Sequence, residues 1–246
     1  HFAAESHVDD SIDNPNNFIQ TNIVGTYNLI SLCLKYWRGD LSNKKFIHFS
    51  TDEVYGSLGI DDESFNVNTP YDPGNPYSAS KASSDLLVKS FYKTYGLPAI
   101  VLNSTNNFGP RQHRKKLIPR TLDLWNSSKP MTVFGSGEQV RDWFYVKDCV
   151  RCIEKIIFSK RKQLQYLIGG KNELSNLDII DKLWDVYEKT TSRKLWPYYE
   201  LVTDRINHDF RYSVDITPFH KDYGIEYTDF DEALQKTVDY YVEWYP

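Results

Sequence analysis

The sequence predicts an α/β fold built on a parallel sheet. Segments with helical apolar spacing alternate with short apolar runs, and turn residues separate them. A smaller mixed region follows in the second half. Apolar residues at Phe18, Ile23, Tyr27, Ile30 and Leu34 recur at steps of three to five, which predicts one long helix over 14–37 with Asp13 or Asn14 as its cap. Lys45-Phe46-Ile47-His48-Phe49-Ser50 predicts a buried strand, and the polar Thr51-Asp52-Glu53 predicts a loop at its carboxyl end. Pro76 starts a helix over 76–95 that Gly96 and Pro98 end. Ala99-Ile100-Val101-Leu102 is the next strand, completing a β-helix-β unit. Beyond Gly109-Pro110 the pattern predicts helices over 117–125, 146–158, 176–187 and 231–241, with strands over 131–134 and 166–168. Lys171 and Asn172 read as loop, not as an interdomain linker.

Composition narrows the function classes. With 246 residues, 40% hydrophobic and 25% charged, the chain is long enough for one large or two small domains and falls outside disordered and fibrous classes. A net charge of −4 without a Lys/Arg block argues against a nucleic-acid surface. No apolar run reaches the roughly 18 residues that span a bilayer, and the first residues lack a secretory signal pattern, so a cytoplasmic protein without a membrane partner is expected. Cys33, Cys149 and Cys152 make no disulfide framework. Cys149 and Cys152 form a C-x-x-C, but a metal site needs further ligands that the sequence does not place nearby. The pair reads as two small buried residues on one helix face, and no metal is expected. His48 reads as a strand residue with a satisfied ring.

Two patterns carry chemistry. Tyr77 and Lys81, four residues apart in a helix, share one face, and a cation beside a phenol favours phenolate, so the pair can act as a base near neutral pH. Asp52 and Glu53 follow a buried strand directly, where neighbouring carboxyls in different surroundings can divide acid and base roles. Either pattern alone also fits a solvated helix face or turn. Both lie near strand carboxyl ends, where open α/β sheets bind ligands.

These residues also carry a resemblance. Phe2-Ala3-Ala4-Glu5-Ser6-His7-Val8-Asp9, Thr51-Asp52-Glu53, Pro76-Tyr77-Ser78-Ala79-Ser80-Lys81-Ala82-Ser83-Ser84-Asp85, Asn106-Asn107-Phe108-Gly109-Pro110 and Arg141-Asp142-Trp143 resemble the nucleotide-sugar 4,6-dehydratases, extended short-chain dehydrogenase/reductases that act on dTDP-glucose or UDP-glucose. The likeness implies a Rossmann-like doubly wound parallel sheet, with residues 1–109 as the remaining part of the NAD-binding domain and 110–246 as a mainly sugar-nucleotide-binding region. The family's G-x-x-G-x-x-G turn and first β-helix units are not in this sequence, so roughly 60 to 80 residues are expected to precede His1. Ile206 and Asn207 stand where the family usually has Pro-Gly, and His113-Arg114-Lys115-Lys116 is more basic than the family's usual stretch.

By the same resemblance Tyr77 takes the proton of the sugar's carbon 4 hydroxyl as hydride passes to NAD, with Lys81 and Thr51 supporting the oxygen. Glu53 removes the carbon 5 proton, Asp52 protonates the departing carbon 6 hydroxyl, and hydride returns to carbon 6. Phe2, Ala3, Ala4, Glu5, Ser6, Thr21, Tyr77, Lys81 and Asn107 would contact NAD. Ser6, Thr51, Asn106, Lys116, Leu117, Thr132, Val133, Phe134, Arg141, Asn176, Arg205, Asn207 and His208 would contact the nucleotide-diphosphate sugar, with Arg141 and Arg205 as planar diphosphate ligands. The resemblance further implies a homodimer joined through a four-helix bundle of the 14–37 and Tyr77 helices. The Asp-Glu pair favours a dehydratase over the related epimerases and decarboxylases. A catalytically silent sugar-nucleotide-binding protein on the same fold stays open as an alternative.

Overall fold

The computed structural model describes residues 1–37, 40–160, 163–204 and 208–244. In chain order the first elements are α1 (Val8–Asp13), α2 (Pro15–Phe18), a π-helical turn (Ile19–Val24), α3 (Gly25–Tyr36), β1 (Phe46–Thr51), a 3-10 turn (Asp52–Tyr55), α4 (Pro76–Tyr95) and β2 (Ala99–Ser104). Then come β3 (Asn106–Phe108), α5 (Leu117–Asn126), β4 (Met131–Phe134), β5 (Val140–Tyr145), α6 (Val146–Phe158) and β6 (Gln165–Ile168). The last are β7 (Glu173–Ser175), α7 (Asn176–Thr191), β8 (Tyr199–Val202), α8 (Thr217–Tyr223) and α9 (Phe230–Trp244).

Two compact units divide the chain. The first comprises His1–Ser104, Ile153–Ile168 and Val214–Gly224; the second comprises Thr105–Cys152, Gly169–Ser213 and Ile225–Pro246.

In the first unit β1, β2 and β6 form a parallel sheet in that order, with Phe46 opposite Ala99 and Val101 opposite Gln165. β2 is central and buried along its whole length, which is why Ala99–Leu102 is a continuous apolar run rather than an alternation before polar Asn103 and Ser104 end the strand. The crossover from β1 to β2 runs through α4. Asn75 caps α4 in a reciprocal capping box with Ser78, Pro76 occupies the first turn, and Gly96 ends it at φ 69°. Ile30 of α3 and Val88 and Leu97 around α4 pack on Phe46, Ala99 and Val101 to make this unit's core.

The second unit is mixed, as expected: β3 and β5 are parallel, β5 and β7 antiparallel, and β4 pairs in parallel with β8. Its core joins Trp125 of α5, Leu183, Trp184 and Tyr187 of α7, and Leu234 and Val238 of α9. Cys149 and Cys152 are both buried on α6.

The structure departs from the expected elements in several places. The helix expected over 14–37 runs unbroken from Pro15 to Tyr36 but contains a π turn at Ile19–Val24 between α2 and α3, and Asn22 within that turn reaches distant partners. Asn14 precedes α2 without a side-chain capping bond. α1 was not expected; His7 accepts the Asp10 amide there in place of a usual capping residue. Thr51 belongs to β1, and Asp52 and Glu53 stand in a 3-10 turn rather than a loop. β3, β5, β7, β8 and α8 are short or polar and carry no periodic signal. Among the described residues no helix is long and apolar enough to cross a membrane.

Candidate active site

Thr51, Asp52, Glu53, Tyr77 and Lys81 all lie in the first unit, at the end of β1 and on the first turns of α4. β1 delivers Thr51 extended, and the Thr51 hydroxyl then accepts the Glu53 amide at 3.3 Å, which folds the chain back into the 3-10 turn. Gly56 closes that turn at φ 89°, and a Cβ there would stand 2.6 Å from the Asp72 carbonyl oxygen. Asp52 is buried and Glu53 half-buried, so the two carboxyls have different surroundings. On α4 the Tyr77 amide donates to Ser11 Oγ at 3.2 Å, and its ring meets Phe18 edge-on at 6.3 Å.

Tyr77, the two acids and Thr51 share one electrostatic environment. Burial raises the phenol well above its ordinary pKa; the charge of Glu53, then those of Asp52 and Asp85, push the same way, while the Thr51 hydrogen bond opposes them. The i,i+4 spacing counts only the cation beside the phenol, and the burial of the phenol, with the carboxylates second, reverses the sign. Lys81 is buried too, and its ammonium donates to the Phe49 carbonyl at 2.7 Å. Burial lowers the Lys81 pKa, and Asp85 counters it.

The segment expected to meet a cofactor runs beside β1. The Phe49 amide donates to the His1 carbonyl at 3.1 Å, and Phe2 lies against Phe49 with ring centroids 5.1 Å apart. Asn22 accepts the Glu5 amide at 2.9 Å, donates to the Glu5 carbonyl at 3.0 Å and donates to Ser80 Oγ at 2.8 Å. It therefore ties this segment to α4. Phe2, Ala3, Glu5 and Ser6 are exposed, and Ala4 and Thr21 are half-buried. Lys81 uses one of its three ammonium donors on Phe49 and retains the others for a hydroxyl-rich ligand. This donor set fits the ribose of a dinucleotide.

The remaining expected contacts lie in the second unit. Asn106 Oδ1 is buried without a hydrogen-bond partner among the described residues, an acceptor suited to a ligand donor. Asn107 Nδ2 donates to the Thr105 carbonyl at 3.0 Å. Lys116 precedes the first helical residue of α5, Leu117; Thr132, Val133 and Phe134 form β4 with Val133 facing the core, and Asn176 opens α7. Arg141 is buried over the Tyr212 ring and donates to the carbonyls of Val140, Phe210 and Asp209 at 2.8, 3.1 and 2.9 Å. Its Nε and one further N–H are left for an anion. His208 Nδ1 is 2.7 Å from Asp204 Oδ1. Arg205 and Asn207 lie outside the described residues.

Sequence reasoning missed Asn22, His48 as a partner of Asp85, Asp85 itself and Asn103. Asp85 had a readable signal, since it lies four residues beyond Lys81 on the same helix face. Asn22 had none, because its role depends on a π turn.

Comparison with known proteins identifies the family. The family model described as GDP-mannose 4,6 dehydratase matches residues 1–237. The dTDP-glucose 4,6-dehydratase of Haemophilus influenzae is 42% identical over 98% of this chain and 75% of its own length. That of Neisseria meningitidis is 42% identical over 99% of this chain and 72% of its own. Among solved structures, dTDP-glucose 4,6-dehydratase from Streptomyces venezuelae with NAD and TYD bound superposes with a TM-score of 0.90 at 36% identity, over 99% of this chain and 72% of that one. UDP-glucuronic acid 4-epimerase from Bacillus cereus, in complex with UDP-glucuronic acid and NAD, gives 0.89 at 27% identity, over all of this chain and 75% of that one. A match over nearly the whole chain, together with a phenol, a hydroxyl and two carboxyls gathered around one strand end, makes this chain a member of the GDP-mannose 4,6-dehydratase family.

Proposed function

We propose that the protein is an NAD-dependent nucleotide-sugar 4,6-dehydratase, a hydro-lyase that converts dTDP-glucose to its 4-keto-6-deoxy derivative and water. The observation that carries this reading is the convergence of Glu53 and Asp52 on Tyr77. Oxidation at carbon 4 alone needs a phenol and a lysine, whereas removing water across carbons 5 and 6 needs a further base and acid. The 40–42% identical relatives that bear the name dTDP-glucose 4,6-dehydratase support thymidine over uridine.

Tyr77 accepts the carbon 4 hydroxyl proton, and the Thr51 hydroxyl stabilises the charge on its oxygen. Lys81, fixed on Phe49, holds positive charge beneath it and directs its remaining donors at the cofactor ribose. When bound, NAD supplies a hydride acceptor that returns the hydride to carbon 6, together with a positively charged ring that offsets the carboxylates around Tyr77. Glu53, the more hydrated acid, takes the carbon 5 proton made acidic by the new ketone. Asp52, the drier one, donates a proton to the departing carbon 6 hydroxyl. Phe2, Ala3, Ala4, Glu5, Ser6, Thr21 and Asn107 would hold NAD. Asn106, Lys116, Leu117, Thr132, Val133, Phe134, Asn176 and His208 would hold the sugar nucleotide with Arg141; we keep Arg205 in that set on family likeness, and Asn207 for its place between Arg205 and His208. Residues 1–109 then serve mainly the cofactor and 110–246 mainly the substrate.

A homodimer is part of this proposal. Tyr27, Leu32 and Tyr36 on α3 and Leu86, Tyr92 and Tyr95 on α4 are exposed, more apolar surface than two helices need in water, and a second copy would cover it. We place the enzyme in the cytoplasm, where its cofactor and substrate are made. Incubation of the full-length protein with NAD and either dTDP-glucose or UDP-glucose tests the activity, with loss of one water read by mass spectrometry and the 4-keto group by NMR. A 4-keto-6-deoxy product from dTDP-glucose is expected. A carbon 4 epimer, carbon dioxide release, or tight binding without turnover would replace the dehydratase with an epimerase, a decarboxylase or a silent binding protein respectively.

A further inference from the structure

Beneath Lys81 lies a buried polar cluster that the mechanism above does not use. Asp85 is fully buried on α4, one turn beyond Lys81 and two beyond Tyr77. Its Oδ2 accepts from Ser50 Oγ at 2.9 Å, Tyr71 OH at 3.0 Å and Asn103 Nδ2 at 3.0 Å. Its Oδ1 lies 3.2 Å from His48 Nε2. Asn103 also donates to the Thr51 carbonyl at 3.0 Å and accepts from Gln165 at 2.7 Å, so the same carboxylate is tied to the strand end that carries the catalytic hydroxyl. All of these groups belong to the first unit.

A charged carboxylate this deeply buried is costly unless hydrogen bonds and a counter-charge offset its lost hydration. Three donors meet Oδ2, while Oδ1 has no hydrogen-bond partner among the described residues and faces only the His48 ring, so a nearby cation must balance the charge. Burial lowers the His48 pKa, so that ring is neutral at neutral pH and is not the counter-ion. Lys89 donates to Tyr71 OH at 2.8 Å, with the phenol between it and Asp85. Lys81 is the remaining buried cation, on the same helix face.

We propose that Asp85 is a positioning residue of the dehydratase: its buried carboxylate is the fixed counter-charge that keeps the Lys81 ammonium protonated and seated on the Phe49 carbonyl beneath Tyr77. The inference rests on the dehydratase reading for its role in turnover, and on the hydrogen-bond network alone for its charge. The groups that face this pair are Tyr77 and Lys89 on α4, His48 on β1, Asp52, Glu53 and Tyr55 in the 3-10 turn, Tyr71 in the following segment, and the amino group of His1. Asp85 favours the protonated form of both Tyr77 and Lys81. Removing its charge therefore lets the phenol ionise and the ammonium lose its proton at lower pH.

The test is the pH profile of dTDP-glucose turnover for the NAD-loaded wild type, Asp85→Asn and Asp85→Glu. Asp85→Asn is expected to move both limbs to lower pH by about one unit, the low end for a charge at this range. Asp85→Glu is expected to return both limbs toward wild type. A profile that is lower but unshifted in Asp85→Asn would mark a purely structural residue and overturn the proposal, as would an unchanged profile. Should Asp85→Asn fail to fold, the carboxyl carbon-13 shift of Asp85 in the wild type decides. A flat shift between pH 5 and 9 supports a permanent counter-charge, and a titration midpoint inside that window overturns it. Inactivity of the wild type on dTDP-glucose would fail the dehydratase reading while leaving the carboxyl measurement to judge Asp85.

Discussion

Replacing Thr51 by Val removes one hydroxyl of nearly unchanged shape and separates two of its roles. The hydroxyl lies 3.1 Å from Asp52 Oδ1, hydrogen-bonds the Tyr77 phenol, and accepts the Glu53 amide at 3.3 Å. The first step needs the phenol to carry negative charge, and a hydrogen bond to a charged group contributes about 1.5 to 3 kcal/mol. Losing it at the transition state lowers kcat roughly 10- to 150-fold, at 1.36 kcal/mol per tenfold. Because that hydrogen bond favours the charged phenol, its loss raises the Tyr77 pKa, and the acidic limb of kcat/KM moves to higher pH. Losing the turn cap costs about 1 kcal/mol of stability, roughly 2–4 °C in Tm for a chain of this size. Steady-state turnover across pH, with a thermal melt on the same samples, reads both. A Thr51→Val enzyme whose acidic limb stays in place, whatever its kcat, would refute the claim that this hydroxyl stabilises the ionised phenol.

Glu53→Gln should still pass the carbon 4 hydride to NAD while elimination stalls, and Tyr77→Phe should suppress both; equal loss of both steps in Glu53→Gln, with transfer of a carbon 4 deuterium to NAD as the readout, would contradict the division of labour. Gly170→Ala places a Cβ 2.1 Å from the Trp143 carbonyl oxygen, so we expect a loss of about 3 kcal/mol, readable as a lower denaturant midpoint with unchanged slope. His48, with its pKa lowered from 6.5 by burial, takes up a proton in the unfolded chain before the folded one. Folding stability should therefore fall by up to about 1.4 kcal/mol per pH unit below pH 6.5 and level off beneath the folded pKa. His48→Gln should flatten that part of a urea-unfolding pH series.

How much of the fold was legible depended on where each segment's hydrogen bonds end. α4 was readable to its last residue because local chemistry sets both ends: Asn75 and Pro76 start it, and Gly96 stops it. β2 was readable over Ala99–Leu102 because a strand buried on both faces is mostly apolar, while its last two residues, Asn103 and Ser104, are polar and were not. β5 was not. It carries Arg141 and Asp142 inside a buried strand, which composition places in a loop. Their polar groups are satisfied by chain far away: Arg141 by the carbonyls of Asp209 and Phe210, Asp142 by the amides of Gly170 and Asn172 at 2.9 and 2.7 Å. No sequence window contains both partners. The π turn failed for the same reason, since Asn22 answers to Glu5 and Ser80.

The site shows the same limit in electrostatic form. The i,i+4 spacing of Tyr77 and Lys81 and the adjacency of Asp52 and Glu53 are local facts, so the residue types and their approach to one strand end could be read directly. The sign of the phenol's perturbation could not, because it is a sum over groups from separate segments. Lys81 lies near enough in sequence to be counted, whereas Glu53, Asp52 and the burial that outweighs all of them arrive only when β1 and α4 pack together. A phenol held protonated by its burial, and further by three carboxylates, is a poor base by itself, and that is a workable state for an enzyme of this kind. Proton removal from the sugar is then coupled to the arrival of positive charge with the cofactor, and the base stays quiet when no hydride acceptor is present. Titrating Tyr77 by its ultraviolet absorbance with and without NAD would show the coupling as a lower ionisation pH on binding, and identical titrations would remove it.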